Sequence, residues 1–458
     1  MPYDQIVFIG YAIDTAPRPA DNKYLGIDPP AADIAARCRL MLGAMEKAAT
    51  LVPPAASPPG STLYVFVAPE FFFRGPTGAY SMDDVQVAVA ELQSMAGAER
   101  WNDWAFAFGT ILGQYEAAVP NQPVQICNFA LVQQGGLAAQ GPNGARSVVK
   151  EFMSGIDFVA SQPNSGGLLL GAVAHPEAAP RGPGSEAQQK NYDGAGIFEL
   201  AGLNWAVEIC RDHLLQRLQR SPALPGDPLV QVQLVPSCGA GFDARSVIAQ
   251  PGGYILNVDG FRPNGNATLY QAGPQPRPVV AQVTPVGITE VTVSSPPVPG
   301  VAVSDLYCNG SGSLYVYPAQ PIPAQGTVPG STSTYKWRAS DPDWTLTFYL
   351  IYDDAGAFSN LLCKIDSTEI DFGGIAYFMP LYLNVTIPPS SPGAGPETGK
   401  INLWLGMGGN QYDHGLYADI NVPGFNFQGE IMQFMSMKND PKPLRKIWAD
   451  PQEPSRSK

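Results

Sequence analysis

The first part of the chain alternates between short apolar runs and longer stretches with apolar residues at helical spacing. Residues 5–13 are almost continuously apolar and predict a strand, and the helical periodicity of residues 31–51 predicts a helix after it. Residues 63–73 predict a second strand that is covered on both faces, and residues 82–95 predict a second helix. This alternation favours an α/β layered fold.

The same pattern continues to about residue 296. Further strands are predicted at residues 104–112, 125–133, 196–200, 203–209, 230–236 and 254–258. Residues 161–191 have no periodicity and are rich in Pro, Gly, Ser and Ala. A stretch of this length and composition is either a lid over a functional site or a mobile insertion, and we favour the lid.

Beyond residue 296 helical periodicity almost disappears. Short β-like runs, at residues 313–317, 345–352, 376–387 and 401–406, alternate with turns rich in Gly, Pro, Ser and Asp. This pattern is typical of an antiparallel β-sandwich-like domain. We therefore predict a domain boundary at residues 297–300, with an α/β domain over residues 1–296 and an accessory β domain over residues 297–458.

The composition fits a globular protein and disfavours several classes of partner. Of the 458 residues 45% are hydrophobic and 15% are charged, so the chain can form a sizeable core. The formal net charge of −13 argues against nucleic acid or an anionic membrane surface as the main partner. No apolar run approaches the ~20 residues of a membrane span, and the N-terminus lacks the basic region of a secretory signal. These features predict a cytoplasmic protein.

The cysteines and histidines do not form a recognisable metal motif. The six cysteines include no CxxC pair, and the three histidines, His175, His213 and His414, are scattered along the chain. We expect free thiols and neither a metal ion nor an organic cofactor. One of the cysteines, Cys210, has a different local setting.

Cys210 follows the β-like run 203–209 and stands at the start of a helix-like stretch. Backbone N–H groups at a helix start lower the pKa of a thiol and can bind an oxyanion, so we expect a reactive cysteine here. A buried structural cysteine is the alternative for this segment taken alone. Glu70 lies inside an apolar run and Lys150 follows a short β-like run, where a paired glutamate and a surface lysine are the corresponding alternatives.

Taken together, these segments resemble those of the nitrilase (carbon–nitrogen hydrolase) superfamily over residues 3–296. The resemblance rests on Ala68-Pro69-Glu70, Val149-Lys150 and Val207-Glu208-Ile209-Cys210-Arg211-Asp212, and on residues 234–237 and 243–257. It implies an α-β-β-α sandwich, which the C-terminal β domain would follow. It also implies Glu70 as general base, Lys150 as stabiliser of the tetrahedral intermediate and Cys210 as nucleophile, with pairing into a homo-oligomer.

Five further residues are candidates for an accessory role. The family often has a second glutamate, for which Glu208 is favoured over Glu151, because a residue two positions before Cys210 on a strand shares the face of the thiol. Arg211 stands where the family often has an aromatic residue. Asp212 is expected to cap the turn after Cys210. His213 could tune the pocket, bind substrate or form a structural hydrogen bond.

The function that this resemblance implies is hydrolysis of a non-peptide C–N bond in a small molecule, through a thioester on Cys210. An amide is favoured over a nitrile as substrate. Two alternatives remain open. The thioester could pass to an amine, which would make the protein an acyltransferase, or the fold could serve as a non-catalytic binding protein whose β domain recognises a partner.

Overall fold

The computed structural model divides the chain into two compact units. The first comprises Met1–Gln219 and Val230–Gln325, and the second comprises Arg220–Leu229 and Gly326–Lys458. The structure describes residues 3–21, 23–52, 61–114, 126–136, 144–150, 154, 156, 196–220, 228–261, 265–274, 278–292 and 298–327, and after these the backbone of strands between residues 331 and 451.

The first unit contains fifteen described strands and two long helices. The helices are α1 (Pro30–Leu51) and α2 (Met82–Ala96), and a single helical turn, α3, covers Arg211–Leu214. The strands are β1 (Gln5–Ala12), β2 (Thr62–Val67), β3 (Tyr80–Ser81), β4 (Trp104–Gln114), β5 (Ile126–Gln134), β6 (Ala145–Val149), β7 (Ile197–Leu200), β8 (Leu203–Val207), β9 (Val230–Ser237), β10 (Ala249–Asp259), β11 (Asn266–Ala272), β12 (Val279–Val283), β13 (Gly287–Glu290), β14 (Ser313–Val316) and β15 (Gln320–Pro321).

These strands form two sheets. The first has the order β13-β14-β1-β2-β4-β5-β6, with β15 paired to β1 and β3 paired to β4. The second has the order β12-β11-β10-β9-β8-β7. Strands β1, β2 and β4 run parallel to one another, as do β8, β9 and β10. The outer strands pair antiparallel, except the short β3, which is parallel to β4. Each parallel group lies in the centre of its sheet, where strands are covered on both faces.

Side-chain alternation along β1 shows how the layers are built. Val7, Ile9 and Tyr11 pack with the apolar faces of α1 and α2. Ile6 and Phe8 point the other way, into a core that the two sheets share. Because successive side chains of a strand point to opposite faces, β1 contributes side chains to both cores.

The outer face of the second sheet has its own smaller apolar cluster, which includes Ala206, Val235 and Ile255. In the described part of the chain, α3 and the 3-10 turns Leu218–Arg220 and Ala244–Ser246 lie near this face. The layers are thus helix, sheet, sheet and short helical turns. The α/β class and the helices predicted at residues 31–51 and 82–95 are confirmed, and the proposed lid at residues 161–191 lies outside the described residues.

The first unit continues past residue 296. Strand β14 pairs antiparallel with β1 along Ile9–Ala12, and β15 pairs with the start of the same strand. The hydroxyl of Tyr317 donates to the carbonyl of Ala267, 2.7 Å away in the second sheet. The compact unit accordingly ends at Gln325, whereas the sequence placed the boundary at residues 297–300. The loss of helical periodicity there marks antiparallel strands added to an existing sheet.

The second unit is built of strands, as the sequence predicted. The strands are β16 (Ser331–Ala339), β17 (Trp344–Tyr352), β18 (Phe358–Ser367), β19 (Ile370–Asp371), β20 (Ala376–Tyr377), β21 (Leu381–Thr386), β22 (Lys400–Met407), β23 (Asp413–Val422), β24 (Phe425–Met435) and β25 (Lys446–Pro451). An eight-stranded sheet has the order β21-β18-β17-β16-β25-β22-β23-β24, and every pair in it is antiparallel. A separate two-stranded sheet pairs β19 with β20.

Among the described residues, no helix has both the length and the apolar character needed to cross a membrane.

The close approach of the two sheets at Gly10 gives a test of this packing. A Cβ atom at Gly10 would collide with the side chain of Ala267, so Gly10→Ala should destabilise the fold by about 1–3 kcal/mol. At Gly43, inside α1, a Cβ atom meets no described heavy atom within 4 Å, and Gly43→Ala should stabilise by about 0.5–1 kcal/mol through helix propensity. Urea unfolding of both variants measures the difference. Equal effects of the two substitutions would contradict the sheet packing.

Candidate active site

Glu70 lies in the turn after β2, beyond the carboxyl end of this central strand of the first sheet. It is completely buried, and Phe71 after it has a positive φ of 65°, which turns the chain sharply. The N–H of Phe71 donates to Oγ1 of Thr110 at 2.8 Å, a side chain of the neighbouring β4. The turn is therefore anchored to the sheet, and the Glu70 carboxylate has a fixed direction.

Lys150 reaches the same carboxylate from the end of β6. Its Nζ lies 2.9 Å from Oε1 of Glu70, and both side chains are fully buried. Nζ also lies 3.4 Å from Oγ of Ser154. A buried ion pair of this kind needs good geometry and further hydrogen bonds to offset the desolvation of two charges.

Asn128 supplies one of those hydrogen bonds and was not among the residues predicted from the sequence. Its Nδ2 donates to Oε1 of Glu70 at 2.8 Å, and the residue is buried in β5, between the strands that precede Glu70 and Lys150. A signal was present in the sequence, because Asn128 is an amide inside the apolar run Ile126–Val132. Buried amides require partners.

Cys210 lies just beyond β8, at the first residue of a sharp turn. Its φ of 51° and ψ of −107° are unusual for a residue with a side chain, and its N–H donates to the carbonyl of Pro236 at 3.0 Å. The turn leads straight into α3. The thiol is buried, belongs to the core shared by the two sheets, and lies 3.9 Å from the carbonyl oxygen of Cys238.

The three residues predicted from the sequence thus meet at one place. The Glu70 carboxylate lies close enough to the Cys210 thiol to raise its pKa, and the same carboxylate holds Lys150. They come from three different strand ends in two sheets. Their meeting depends on the stacking of those sheets and not on any local motif.

The charge state of Cys210 differs from the expectation. Burial, followed by the negative charge of Glu70, raises the pKa of the thiol well above its ordinary value, although Lys150 and the Cys238 carbonyl act in the other direction. The predicted lowering by a helix start was wrong, because α3 is only one turn long and cannot outweigh burial and a neighbouring carboxylate. In the resting site the thiol keeps its proton.

Glu208 does not share the face of the thiol. Its carboxylate accepts from Nδ1 of His213 at 2.7 Å, from the N–H of Leu218 at 2.9 Å and from Nε2 of Gln233 at 3.1 Å. These groups lie on the outer side of the second sheet. The prediction from alternation was wrong because β8 ends at Val207 and the turn at Cys210 reverses the direction of the side chain.

The remaining candidates are distributed around α3. Arg211 is its first residue and is exposed, whereas Asp212 and His213 are fully buried. The N–H of Asp212 donates to the carbonyl of Ile209 at 3.0 Å, within the turn that Asp212 was expected to cap. His213 has the structural hydrogen bond that was one of its alternatives. Glu151 and His175 lie outside the described residues.

A small cavity lies beside the turn that follows Glu70. Phe71 forms part of its wall, and the guanidinium of Arg74 lies over the rings of Tyr24 and Phe71, at 3.4 and 4.5 Å from their centroids. Glu70, Lys150 and Cys210 do not line it. Within the described ranges, no group of three His, Cys, Asp or Glu side chains is arranged to hold a metal ion.

Neither a protein-family model nor a curated protein matches this sequence. Several solved structures are similar to it, and two of them have a TM-score of 0.30. One is glutamine-dependent NAD+ synthetase from Acinetobacter baumannii in complex with ADP, at 12% identity over 61% of this chain and 43% of the synthetase. The other is a CN-hydrolase superfamily protein from Xanthomonas campestris with an arsenic adduct in its active site, at 13% identity over 61% of this chain and 91% of that one. The chain thus covers less than half the length of the synthetase.

The ion pair can be tested with a double-mutant cycle. Lys150→Met leaves the Glu70 carboxylate buried without its cation and should destabilise the protein by about 3–5 kcal/mol. Adding Glu70→Gln should recover part of this loss, since the unpaired charge is then removed. Urea unfolding of the two single variants, the double variant and the wild type gives the coupling free energy between residues 70 and 150.

The exposed pair of Arg18 and Asp21 is the control, and Arg18→Met should leave the unfolding transition close to that of the wild type. Strict additivity at residues 70 and 150 would contradict the pairing.

The pH dependence of Cys210 alkylation tests the charge state of the thiol. In the wild type we expect the rate with iodoacetamide to keep rising as the pH increases beyond the ordinary thiol range, because the folded protein favours the protonated form. Glu70→Gln removes a negative charge and should move the profile to lower pH, with a rate at pH 8 that is higher by roughly an order of magnitude.

Peptide mass spectrometry measures the alkylation rate at each cysteine separately. Cys127 is the internal control, because burial raises its pKa to about 12 and no charged side chain contributes to that shift. Its rate should be the same in both proteins. A profile for Cys210 that stays in place, or moves to higher pH, would contradict the assigned contact with Glu70.

Proposed function

We propose that this chain is a member of the nitrilase superfamily and a thiol-dependent hydrolase that cleaves a non-peptide carbon–nitrogen bond, an amide rather than a nitrile. The observation that carries the proposal is the meeting of Glu70, Lys150 and Cys210 in one buried centre. A buried carboxylate next to a thiol is the arrangement that general-base activation of a nucleophile requires.

In the first half of the reaction, Glu70 takes the proton of the Cys210 thiol as the sulfur attacks the carbonyl carbon of the amide. The negative charge moves to the carbonyl oxygen. Lys150 stabilises that charge together with the N–H of Arg211, which has no acceptor inside α3 because Arg211 is the first residue of the turn. The raised pKa of the thiol suits this step, because the proton leaves only when attack begins.

In the second half, the protonated Glu70 gives its proton to the leaving nitrogen as the C–N bond breaks and the thioester forms. Water then enters, Glu70 accepts one of its protons, and the hydroxyl attacks the thioester carbon. The C–S bond breaks, sulfur takes this proton back from Glu70 and leaves as the thiol, and the product is a carboxylic acid. Besides substrate and water, these steps use Glu70, Lys150, Cys210 and the N–H of Arg211.

The fate of the thioester separates the main proposal from acyl transfer. If an amine replaces water in the second half, the same centre forms a new amide. A non-catalytic binding protein would form no thioester at all. Homo-oligomerisation, a cytoplasmic location and an accessory role for the second unit stay predictions.

The proposed function is tested by incubating the protein with a panel of small amides and nitriles and measuring ammonia release together with intact-protein mass. The wild type should release ammonia from at least one amide and show an acyl adduct. Cys210→Ala should show neither, and Glu70→Gln should lose about 10²-fold or more of the rate through loss of the base.

Cys238→Ala is the matched control. It removes a neighbouring buried thiol but keeps the backbone carbonyl of residue 238, which contacts Cys210. It should form the same acyl adduct as the wild type. Equal turnover by Cys210→Ala and the wild type would exclude Cys210 as the nucleophile. Transfer of the acyl group to an added amine, in preference to water, would favour the acyltransferase.

A further inference from the structure

A polar network lies behind the turn that carries Cys210, on the outer side of the second sheet. Glu208, His213 and Gln233 are all completely buried. The two oxygens of Glu208 accept three hydrogen bonds, from His213, Gln233 and the N–H of Leu218. None of these groups has a step in the proposed mechanism, yet burying so many polar atoms is costly unless each bond is made.

The hydrogen bonds determine the protonation of His213. Its Nε2 accepts from the N–H of Asp243 at 3.1 Å, so this nitrogen carries no proton. The proton is therefore on Nδ1, which donates to Oε2 of Glu208 at 2.7 Å. A carboxylate can only accept at this position, so Glu208 selects the tautomer that carries its proton on Nδ1.

The network joins two segments that are distant in sequence. Gln233 on β9 donates from Nε2 to the carbonyl of Ser246 at 2.8 Å and accepts at Oε1 from the N–H of Ile248 at 2.9 Å. The hydroxyl of Ser246 donates to the carbonyl of His213. The stretch from Glu208 to Leu218 is thus tied to the stretch from Asp243 to Ile248.

The Cys210 turn needs hydrogen bonds of this kind to hold its conformation. Cys210 has a positive φ, a conformation that costs of order 1–3 kcal/mol and persists only where the surroundings hold it. The N–H of His213 donates to the carbonyl of Cys210 at 3.0 Å, so a displacement of His213 is transmitted to the residue that carries the thiol.

We propose that His213 is a positioning residue, which holds the Cys210 turn through the hydrogen bond between its Nε2 and the N–H of Asp243. This inference rests on the proposed function for its importance in turnover. The positioning itself concerns only the turn and the thiol.

Two substitutions of His213 distinguish its hydrogen bond with Glu208 from its hydrogen bond with the N–H of Asp243. His213→Asn keeps an amide donor near the position of Nδ1 but is too short to reach Asp243. His213→Gln carries its amide oxygen to the position of Nε2 and can accept from that N–H. Both replace a neutral side chain by a neutral amide, so a general cost of burying a polar group affects both.

The probe is iodoacetamide at pH 8, with peptide mass spectrometry to measure alkylation at each cysteine. In His213→Asn the released turn should expose Cys210, and its alkylation rate should rise about fivefold or more over the wild type. In His213→Gln it should stay within about twofold. Cys38 and Cys127, buried elsewhere in the first unit, are internal references whose rates should not change.

Equal rates at Cys210 in the Asn and Gln variants would overturn the proposal, and so would a rise at Cys38 and Cys127 that matches the rise at Cys210, because that shows general loosening. With an amide that the wild type hydrolyses, His213→Asn should lower kcat about tenfold with little change in KM, and His213→Gln should restore it. If no amide is hydrolysed but the contrast in alkylation holds, the hydrolase proposal fails and the positioning role stands.

Discussion

The buried ion pair between Glu70 and Lys150 is the interaction on which the centre of this molecule depends. Two charges that are removed from water attract each other strongly, but only a rigid frame can keep the attraction larger than the loss of hydration. The frame is the first sheet, in which the strand that precedes Glu70 and the strand that precedes Lys150 are separated by β4 and β5. Asn128 from β5 and Thr110 from β4 occupy this gap, one bonded to the carboxylate and the other to the turn beside it. Residues on or directly after four strands therefore support the pair.

Two glutamates lie on opposite sides of the Cys210 turn and have different tasks. Glu70 lies in the core between the sheets, beside the thiol, and carries the ion pair with Lys150. Glu208 faces His213 behind the second sheet and accepts three hydrogen bonds there. The proposed mechanism uses the first carboxylate as a base, and the second holds a polar network.

The sequence predicted the site residues where a charged or nucleophilic side chain interrupts or follows an apolar strand pattern. Glu70 lies inside such a run, Lys150 and Cys210 each follow one, and the layered α/β fold follows from the same alternation. The prediction that Glu208 shares the face of the thiol failed because the backbone leaves the strand conformation before Cys210. Side-chain alternation applies only within a strand, and Cys210 has a positive φ. The prediction of a lowered thiol pKa also failed, because that pKa depends on the burial that two stacked sheets provide. Asn128 was missed because its partner lies 58 residues away in the sequence.

The pairing of β14 and β15 with β1 has a consequence for the order of events during synthesis. The first strand of the chain acquires its antiparallel neighbours only from residues 313–321, about three hundred residues later. Until that segment has left the ribosome, one edge of β1 stays open, with its backbone N–H and C=O groups available to other strands. The segment Arg220–Leu229, which divides the first unit, belongs to the second. Neither unit is therefore a continuous piece of chain, and the second is complete only after the last segment of the first has been made.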